Sequence, residues 1–512
     1  MTELAPQPLP PPESHGEGFA LRVIQIGSIA AVLAVTTFNA FELDRFFVPK
    51  ELALHLTALL AGFVAFRALR EASRVDLLLG GFLILSTIST LFATNHWLAI
   101  RALTISTSGV LLFWSARAIR NAGLEKPLLG GLALAVVIAA ITALAQAYGI
   151  DITLFSENRS PGGTLGNRNF IAHVAAFGSP LLLLAALRAR TTRGYVFGSL
   201  GFMIVVATLV LTRSRAAWLA FAAVMLVFLG GVLVSKTWRR FFGTVLIAGA
   251  GVAAALLIPN TLKWRSDNPY LESVKRVADY ERGSGRGRLV QYQQSLLLAA
   301  RHPLFGAGPG NWAVDYPAHA ARNDPSLNDA DPGTTLNPWP SSDWIAWVSE
   351  RGIAAVVLIA LALIGVGISA LRGFATLEST ALLAVLIGAV VAGLFDAVLL
   401  TALPSLIVWT SLGALFVPRP GPSRSSALRM TCGLCLLLAL VGVLRSASQI
   451  VSMSAYVTGR GMENASVIDP GNYRLQLRLA RSGGRHRCEH AEAAHALYPN
   501  ARAANDAQRG CR

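Results

Sequence analysis

Long apolar runs alternate with short polar connections along most of the 512-residue chain. A helix needs about 20 apolar residues to cross the hydrocarbon core of a bilayer. Thirteen runs approach this length, so the pattern predicts an all-α, polytopic transmembrane helical bundle of 12–13 spans. Two runs are irregular, because residues 403–417 form a short run and residues 97–115 include Arg101. The predicted spans are residues 21–40, 51–66, 75–93, 97–115, 127–148, 169–187, 194–211, 216–234, 241–258, 353–371, 380–400, 403–417 and 430–444.

One polar interruption, residues 259–352, is far longer than the others and has apolar runs on both sides. Loops longer than about 15 residues are usually functional or disordered. The loop is therefore predicted to form the extracytoplasmic half of an active site. Its run Gly306-x-Gly308-x-Gly310 is interpreted as a tight turn that lets two backbones approach. A dinucleotide-binding loop is excluded, because no strand–turn–helix unit surrounds the glycines.

The two ends of the chain differ in composition from the apolar middle. Residues 1–18 are polar and rich in proline, which predicts a disordered cytoplasmic tail without a cleavable signal peptide. The polytopic membrane domain is predicted to span residues 19–444. Residues 445–512 are predicted to form a helical tail of tetratricopeptide type, with a Pro470-to-Pro499 period of 29 against about 34 in such repeats. A solvated helical appendix is the alternative for this tail.

Basic residues are concentrated in alternate connections. The charged fraction is only 14%, against about 25% in soluble domains, and arginines in these connections contribute to the net charge of +16. Lys and Arg favour the cytoplasmic side, so the N-terminus is predicted inside and the long loop and the tail outside. A nucleic-acid partner is excluded, because no aromatic residues interleave with the basic ones. The cytoplasmic clusters are Arg67/Arg70/Arg74, Arg117/Arg120/Lys126, Arg188/Arg190/Arg193, Lys236/Arg239/Arg240, Arg372 and Arg419/Arg424/Arg429.

Four arginines fall on the outer side in this topology. Arg213 and Arg215 follow a predicted span, and Arg159 and Arg168 lie in the outer connection 149–168. Such arginines serve a ligand or a partner, or extend to lipid phosphates. Because Arg213 and Arg215 stand two residues apart beside a loop rich in arginine, a site is favoured. Guanidinium groups bind phosphate oxygens in pairs, which indicates an anionic lipid-linked group such as a pyrophosphate.

Carboxylates and histidines on the predicted outer face have no metal-ligand spacing. Mg²⁺ sites use carboxylates, so the site is predicted to act without a metal or another cofactor. Cys432 and Cys435 lie within an apolar run and are interpreted as packing residues. Cys488 and Cys511 would form a disulfide in an oxidising periplasm, or else remain two unpaired thiols.

Four motifs around the long loop carry a family resemblance. They are residues 162–172 (Gly-Gly-Thr-Leu-Gly-Asn-Arg-Asn-Phe-Ile-Ala), residues 212–217 (Thr-Arg-Ser-Arg-Ala-Ala), Arg288 followed by residues 303–310 (Pro-Leu-Phe-Gly-Ala-Gly-Pro-Gly), and residues 337–352. In composition and order they resemble the motifs of the O-antigen ligase and O-antigen polymerase family of membrane proteins. The resemblance covers a core of about residues 162–417.

The resemblance implies a metal-independent, inverting glycosyltransferase of the GT-C superclass. Its donor would be a glycan on undecaprenyl pyrophosphate, transferred to a lipid A–core sugar or to a protein at the periplasmic face of the bacterial inner membrane. A polymerase that joins carrier-linked repeat units is the alternative. Arg213, Arg215 and Arg288 match the arginines expected to bind the donor pyrophosphate. Arg215 and Arg288 are also expected to be catalytic, because positioned guanidiniums stabilise charge that develops on the leaving group.

One position departs from the family pattern. The ligases carry a histidine just before the last motif, whereas Ser341 and Ser342 stand there in this chain. The general base expected from that histidine is therefore absent, and Asp343 or Glu350 could replace it. Ser341 and Asp343 are accordingly predicted as catalytic residues.

Two other classes of function compete with a transferase. A membrane transporter needs polar groups near the middle of the bilayer, and His173 and Asp396 are the candidates. His173 is expected to be a satisfied packing histidine, whereas Asp396 has no assigned role. A non-catalytic scaffold would act through its tail, so that deletion of residues 445–512 would abolish all of its function.

Overall fold

The computed structural model describes residues 15–39, 43–68, 72–156, 159–264, 266, 268–275, 283–418 and 425–511. Within these ranges the chain is mainly α-helical, which confirms the predicted all-α class. The helices are α1 (His15–Leu33), α2 (Asp44–Ala68), α3 (Arg74–Ser89), α4 (His96–Asn121), α5 (Glu125–Ala147), α6 (Arg168–Arg188), α7 (Thr192–Thr212), α8 (Arg215–Ser235), α9 (Trp238–Leu257), α10 (Pro269–Lys275), α11 (Gly283–Arg301), α12 (Trp312–Asp315), α13 (Asp343–Arg372), α14 (Leu377–Phe395), α15 (Ala402–Leu415), α16 (Ser425–Thr458), α17 (Met462–Ile468), α18 (Tyr473–Arg481), α19 (Arg487–Leu497) and α20 (Arg502–Arg509).

Twelve of the described helices, α1–α9, α13, α14 and α16, are long and apolar enough to cross a membrane. The protein is therefore a multi-pass membrane protein, as predicted. Helix α15 corresponds to the short apolar run 403–417 and has only 14 residues. At about 1.5 Å per residue it is shorter than a hydrocarbon core of about 30 Å. All of its residues are buried, and it packs chiefly against α4 inside the bundle.

Both ends of the membrane domain differ from the predicted boundaries. Helix α1 begins at His15 and ends at Leu33, earlier than the predicted span 21–40. Residues 15–18 of the predicted disordered tail are helical, whereas residues 1–14 lie outside the described residues. Helix α16 continues unbroken from the apolar run to Thr458, across the predicted boundary at residue 445.

Several charged side chains inside the bundle are paired with one another. Arg101 donates to both oxygens of Glu51, with its Nε at 2.9 and 3.0 Å, and its Nη1 lies 3.6 Å from Asp44. On α3, Asp76 accepts from Arg117 at 2.6 Å and is fully buried. A buried charge is costly unless it is paired and hydrogen-bonded. These pairs explain how the irregular run around Arg101 forms a spanning helix.

The long loop contains helices α10, α11 and α12, and we call the end of the bundle that carries it the loop end. Gly306, Gly308 and Gly310 all have positive φ, at 66°, 93° and 68°. A Cβ atom on Gly306 would lie 2.2 Å from the carbonyl carbon of Glu350, and the Gly308 amide donates to the Glu350 carbonyl at 2.9 Å. The predicted tight turn is confirmed. It packs where α13 bends at Gly352, whose φ of 77° separates a short arm from the spanning part.

The tail is helical, as predicted, and consists of α17, α18, α19 and α20. Helices α18 and α19 pack against each other, and their tetratricopeptide character remains a prediction. Cys488 and Cys511 form a disulfide that ties α19 to the end of α20. Cys432 and Cys435 are free thiols buried in α16, in agreement with their interpretation as packing residues.

The tail docks on both the bundle and the long loop. Trp97 Nε1 of α4 donates to Asp469 Oδ1 at 2.6 Å. The Asn500 side chain donates to the Val314 carbonyl at 3.0 Å, and the Arg502 amide donates to the carbonyl of residue 332 at 2.8 Å. The tail is therefore part of the surface at the loop end rather than a separate appendix.

Candidate functional site

Helix α11 places Arg288 next to the segment that contains Ser341. The Ser341 amide donates to Gln291 Oε1 at 2.6 Å, and the Tyr292 hydroxyl donates to the Ser341 carbonyl at 2.6 Å. The same hydroxyl donates to the Leu394 carbonyl at 2.7 Å, at the end of α14. Positions i, i+3 and i+4 share one face of a helix, so Arg288 lies on the face that holds Ser341. Sequence reasoning named both residues, and the structure brings their elements together.

A histidine–carboxylate pair lies beside this face. His173 Nδ1 of α6 is 3.9 Å from Asp396 Oδ2, at the end of α14. Only 1% of His173 is exposed, and neither ring nitrogen has a hydrogen-bond partner among the described residues. The expectation of a satisfied packing histidine is therefore wrong. The Tyr292 hydroxyl of α11 binds the Leu394 carbonyl, two residues before Asp396, so α11 reaches the end of α14 that carries the pair.

Arg215 reaches the same end of the bundle from a third helix. It is the first residue of α8 and is half-buried. Helix α8 packs along α6 and α14, the two helices that carry His173 and Asp396 towards the loop end. Arg215 and Arg288 are thus presented by different elements around one region.

Arg213 belongs to a different surface, although it is only two residues from Arg215. Its φ of 55° is left-handed, which turns the chain between α7 and α8. Its Nε donates to Ser273 Oγ at 2.9 Å, and its guanidinium carbon lies 4.7 Å from the ring centroid of Trp264. Arg168 lies over the same indole at 5.0 Å. Burial lowers the pKa of Arg213, and nearby Glu272 opposes that shift.

A cleft of about 420 Å³ opens beside this arginine–tryptophan–arginine stack. Its lining includes Arg168, Lys263, Trp264 and Asp151. The cations outnumber the carboxylate in this group, which suits an anion. The arginines expected at one pyrophosphate site are therefore divided between the Trp264 cleft and the region of Arg288.

Asp343 and Glu350, the two carboxylates considered for the missing base, are held by backbone amides. Asp343 is fully buried and accepts from the amides of residues 398, 399 and 400 at 2.9 to 3.3 Å. Glu350 is 2% exposed and accepts from the amides of Gly310 and Trp312 at 2.8 and 3.2 Å. Both side chains thus fix neighbouring loop segments. Asp396, whose side chain is 14% exposed, retains contact with solvent.

Sequence reasoning missed Gln291 and Tyr292, and it named His173 and Asp396 only as possible transporter residues. The i+3 and i+4 spacing from Arg288 is a signal that could have found the first two. Nothing in the sequence pairs His173 with Asp396, because 223 positions separate them. Among the described residues, no group of three or more His, Cys, Asp or Glu side chains could hold a metal ion.

The site spans the part of the chain that a known family covers. Residues 200–360 match the family described as O-antigen ligase. This range includes Arg215, Arg288, Ser341 and Asp343, whereas His173 and Asp396 lie outside it. No curated protein matches the chain. The match over residues 200–360 supports the family that the motifs indicated, and this part of the chain is similar to the O-antigen ligase family of glycosyltransferase-like membrane enzymes.

Proposed function

We propose that this protein transfers a glycan from undecaprenyl pyrophosphate to a lipid A–core sugar or a protein at the periplasmic face of the inner membrane. The observation that carries the proposal is the placement of Arg288 by α11. One face of this helix presents Arg288 and holds Ser341, next to the His173–Asp396 pair. The family match supports ligase- or polymerase-type glycosyl transfer. The charge pattern of the connections supports the proposed orientation.

In the proposed reaction, the oxygen of an acceptor hydroxyl attacks the anomeric carbon of the donor glycan with inversion. The bond from that carbon to the pyrophosphate oxygen breaks, and the carrier pyrophosphate leaves with the bonding electrons. Arg215 and Arg288 stabilise the negative charge that grows on this leaving group, without a metal ion. Guanidinium groups that are fixed by packing need no rearrangement at that moment.

The acceptor hydroxyl must also lose its proton. We assign this step to Asp396, because this carboxylate stays partly exposed and has His173 beside it. Ser341 borders the approach of the acceptor. Asp343 contributes through the segment 398–400, which it holds close to Asp396.

The test compares two arginines of α11 in cells that lack the chromosomal copy. Arg288→Ala is expected to abolish the mature surface glycan, because removing one charge-stabilising group costs about 10²- to 10³-fold in rate. Arg286→Ala is the matched control, since Arg286 is exposed on the same helix and lies on another face. Arg215→Ala is expected to behave like Arg288→Ala. Immunoblots of membrane fractions would establish equal protein amounts.

Analysis of carrier-linked glycans then identifies the reaction type. Polymer that accumulates on the carrier indicates a ligase, and single repeat units indicate a polymerase. Normal surface glycan in both Arg215→Ala and Arg288→Ala would overturn the proposal. An equal loss in Arg286→Ala would show that α11 matters only as a structural element.

A further inference from the structure

A second cleft at the loop end opens between three parts of the chain that are far apart in sequence. Its volume is about 290 Å³. The bundle contributes Trp97 and Arg101, the long loop contributes Asp331 and Thr335, and the tail contributes Tyr473 and Tyr498. None of these residues lines the Trp264 cleft or belongs to the region of Arg288. Because each part supplies one wall, the cleft exists only when the tail is docked.

The tail side of the cleft is aromatic and carries an unpaired hydroxyl. The rings of Tyr473 and Tyr498 lie 4.6 Å apart at an angle of 39°. Tyr473 is only 7% exposed, yet its hydroxyl has no hydrogen-bond partner among the described residues. Buried hydroxyls in native proteins nearly always have a partner, so an unpaired one needs an explanation. A ligand hydroxyl in the cleft would supply the missing partner.

The charges that line the cleft balance one another. Three arginines face three aspartates: Arg101, Arg445 and Arg474 against Asp44, Asp331 and Asp469. Two of the arginines are already paired, since Arg101 binds Glu51 and Arg445 binds the Gln449 side chain at 2.9 Å. A polyanion would find little net positive charge here, in contrast with the Trp264 cleft. Planar amide, carboxylate and guanidinium groups beside aromatic rings suit an uncharged ligand that is rich in hydroxyl groups.

The cleft continues towards the candidate site. A smaller cavity of about 60 Å³ adjoins the cleft, and the residues that line both include Leu98, Arg101, Pro338 and Tyr498. The smaller cavity is also lined by Trp339. The Trp339 ring packs edge-on against a phenylalanine of α2, with centroids 5.0 Å apart, only two residues before Ser341. A chain of sugar units seated in the cleft would therefore point towards the segment that α11 holds.

We propose that the cleft between the tail, the long loop and α4 binds a saccharide and guides it towards Ser341 and Asp396. The tail is then a substrate-binding element of the enzyme. The direction of the bound saccharide rests on the proposed function, whereas the binding itself does not. The saccharide comes either from the acceptor or from the distal units of the donor glycan.

The experiment measures saccharide binding without donor lipid and without transfer. Purified full-length protein in nanodiscs would be titrated calorimetrically with two lipid-free fractions from the envelope of the producing cells: core oligosaccharide and single repeat units. Tyr473→Phe removes a hydroxyl group, Asp331→Asn replaces one carboxylate oxygen by an amide nitrogen, and both keep the shape of the side chain. Each is expected to raise the dissociation constant by about three- to tenfold, as loss of one hydrogen bond does. Tyr195→Phe is the control, because that hydroxyl binds the Arg240 carbonyl at the opposite end of the bundle.

Binding of the core fraction assigns the cleft to the acceptor, and binding of repeat units assigns it to the donor glycan. Sodium pyrophosphate is expected not to compete with either fraction. The proposal is overturned if neither fraction binds, or if both cleft variants bind as tightly as the wild type. Saccharide binding that survives Arg215→Ala would stand even if the proposed transfer reaction failed.

Discussion

Three carboxylates at the loop end have different surroundings, and these decide what each can do. Asp343 accepts from three consecutive backbone amides, and Glu350 accepts from two. Asp396 accepts from the neighbouring Ala397 amide at 2.9 Å and keeps its other oxygen near His173. Carboxylates that are surrounded by amide donors stabilise the backbone, whereas an oxygen without such donors can receive a proton. The same residue type thus serves anchoring and chemistry at positions that the sequence does not distinguish.

Replacing Asp343 or Asp396 by asparagine is expected to separate these two roles. Asp343→Asn replaces the oxygen that also accepts from the Leu399 amide by an NH2 group that cannot accept, and it is expected to cost about 1–3 kcal/mol of stability. Asp396→Asn is expected to leave the melting temperature unchanged and to lower glycan transfer by about 100-fold or more. Fluorescence-detected gel filtration after heating and quantification of the surface glycan would measure the two effects. If Asp343→Asn melts normally and abolishes transfer, Asp343 acts chemically, as the sequence analysis predicted.

At the scale of elements, the site depends on how the glycine turn and the bend of α13 fit together. Ser89 of α3 donates to the carbonyls of Phe305 and Glu350, at 2.5 and 2.9 Å, and so clamps both segments. Gly308 has a φ of 93°, and a Cβ atom there would lie 2.5 Å from the Cβ of Ala93. Any side chain at this turn would separate the loop from the bundle. The turn therefore fixes how closely the loop approaches the bundle at the candidate site.

Gly308→Ala is expected to destabilise the protein by about 1–3 kcal/mol, because it combines backbone strain with a clash. Gly130→Ala is the matched control, since Gly130 lies in α5 and a Cβ atom there would meet nothing within 4 Å. The control is expected to be neutral or to stabilise by up to about 1 kcal/mol, as glycine-to-alanine changes in helices do. Both melting temperatures would be measured in the same detergent. Equal stability of the two variants would show that the loop does not pack tightly on the bundle.

At the scale of the whole molecule, the tail contacts both the helical bundle and the long loop, and it closes the cleft between them. Continuous helix α16 carries the chain out of the bundle, and the Cys488–Cys511 disulfide closes α19 and α20. Hydrogen bonds to Trp97 and Val314 then hold the tail on α4 and on the loop. A disulfide persists in an oxidising compartment, so this arrangement agrees with the proposed periplasmic side for the loop end.

Labelling of intact spheroplasts with polyethylene-glycol maleimide would test the side and the disulfide together. Cys488 and Cys511 are expected to react only after treatment with a reductant. Cys432 and Cys435 are buried in α16 and are expected to stay unlabelled until the protein is denatured. A Cys488→Ser/Cys511→Ser variant is the control for the assignment of the label. Labelling of the wild type without reductant would show free thiols, and labelling only after lysis would place the tail in the cytoplasm.

The apolar pattern was sufficient to predict the helical class, the number of spans to within one, and the long loop between two of them. Boundaries were less predictable: α1 is displaced because polar residues such as His15 and Glu17 continue its first turns. α16 crosses the predicted domain boundary because nothing in its sequence ends a helix at residue 445. The motifs also supplied Arg215, Arg288 and Ser341, whose elements the structure brings to one region.

What the sequence by itself determined is what depends on local composition: which segments prefer lipid, where glycine permits a turn, and which family the motifs match. The tertiary structure decided which polar groups meet. Arg213 and Arg215 are neighbours in sequence but belong to different surroundings, because the left-handed residue 213 turns the chain: Arg213 packs on Trp264, whereas Arg215 begins α8. His173 and Asp396 are distant in sequence but lie 3.9 Å apart, because α6 and α14 pack side by side. Contacts between helices depend on packing, which no local pattern encodes.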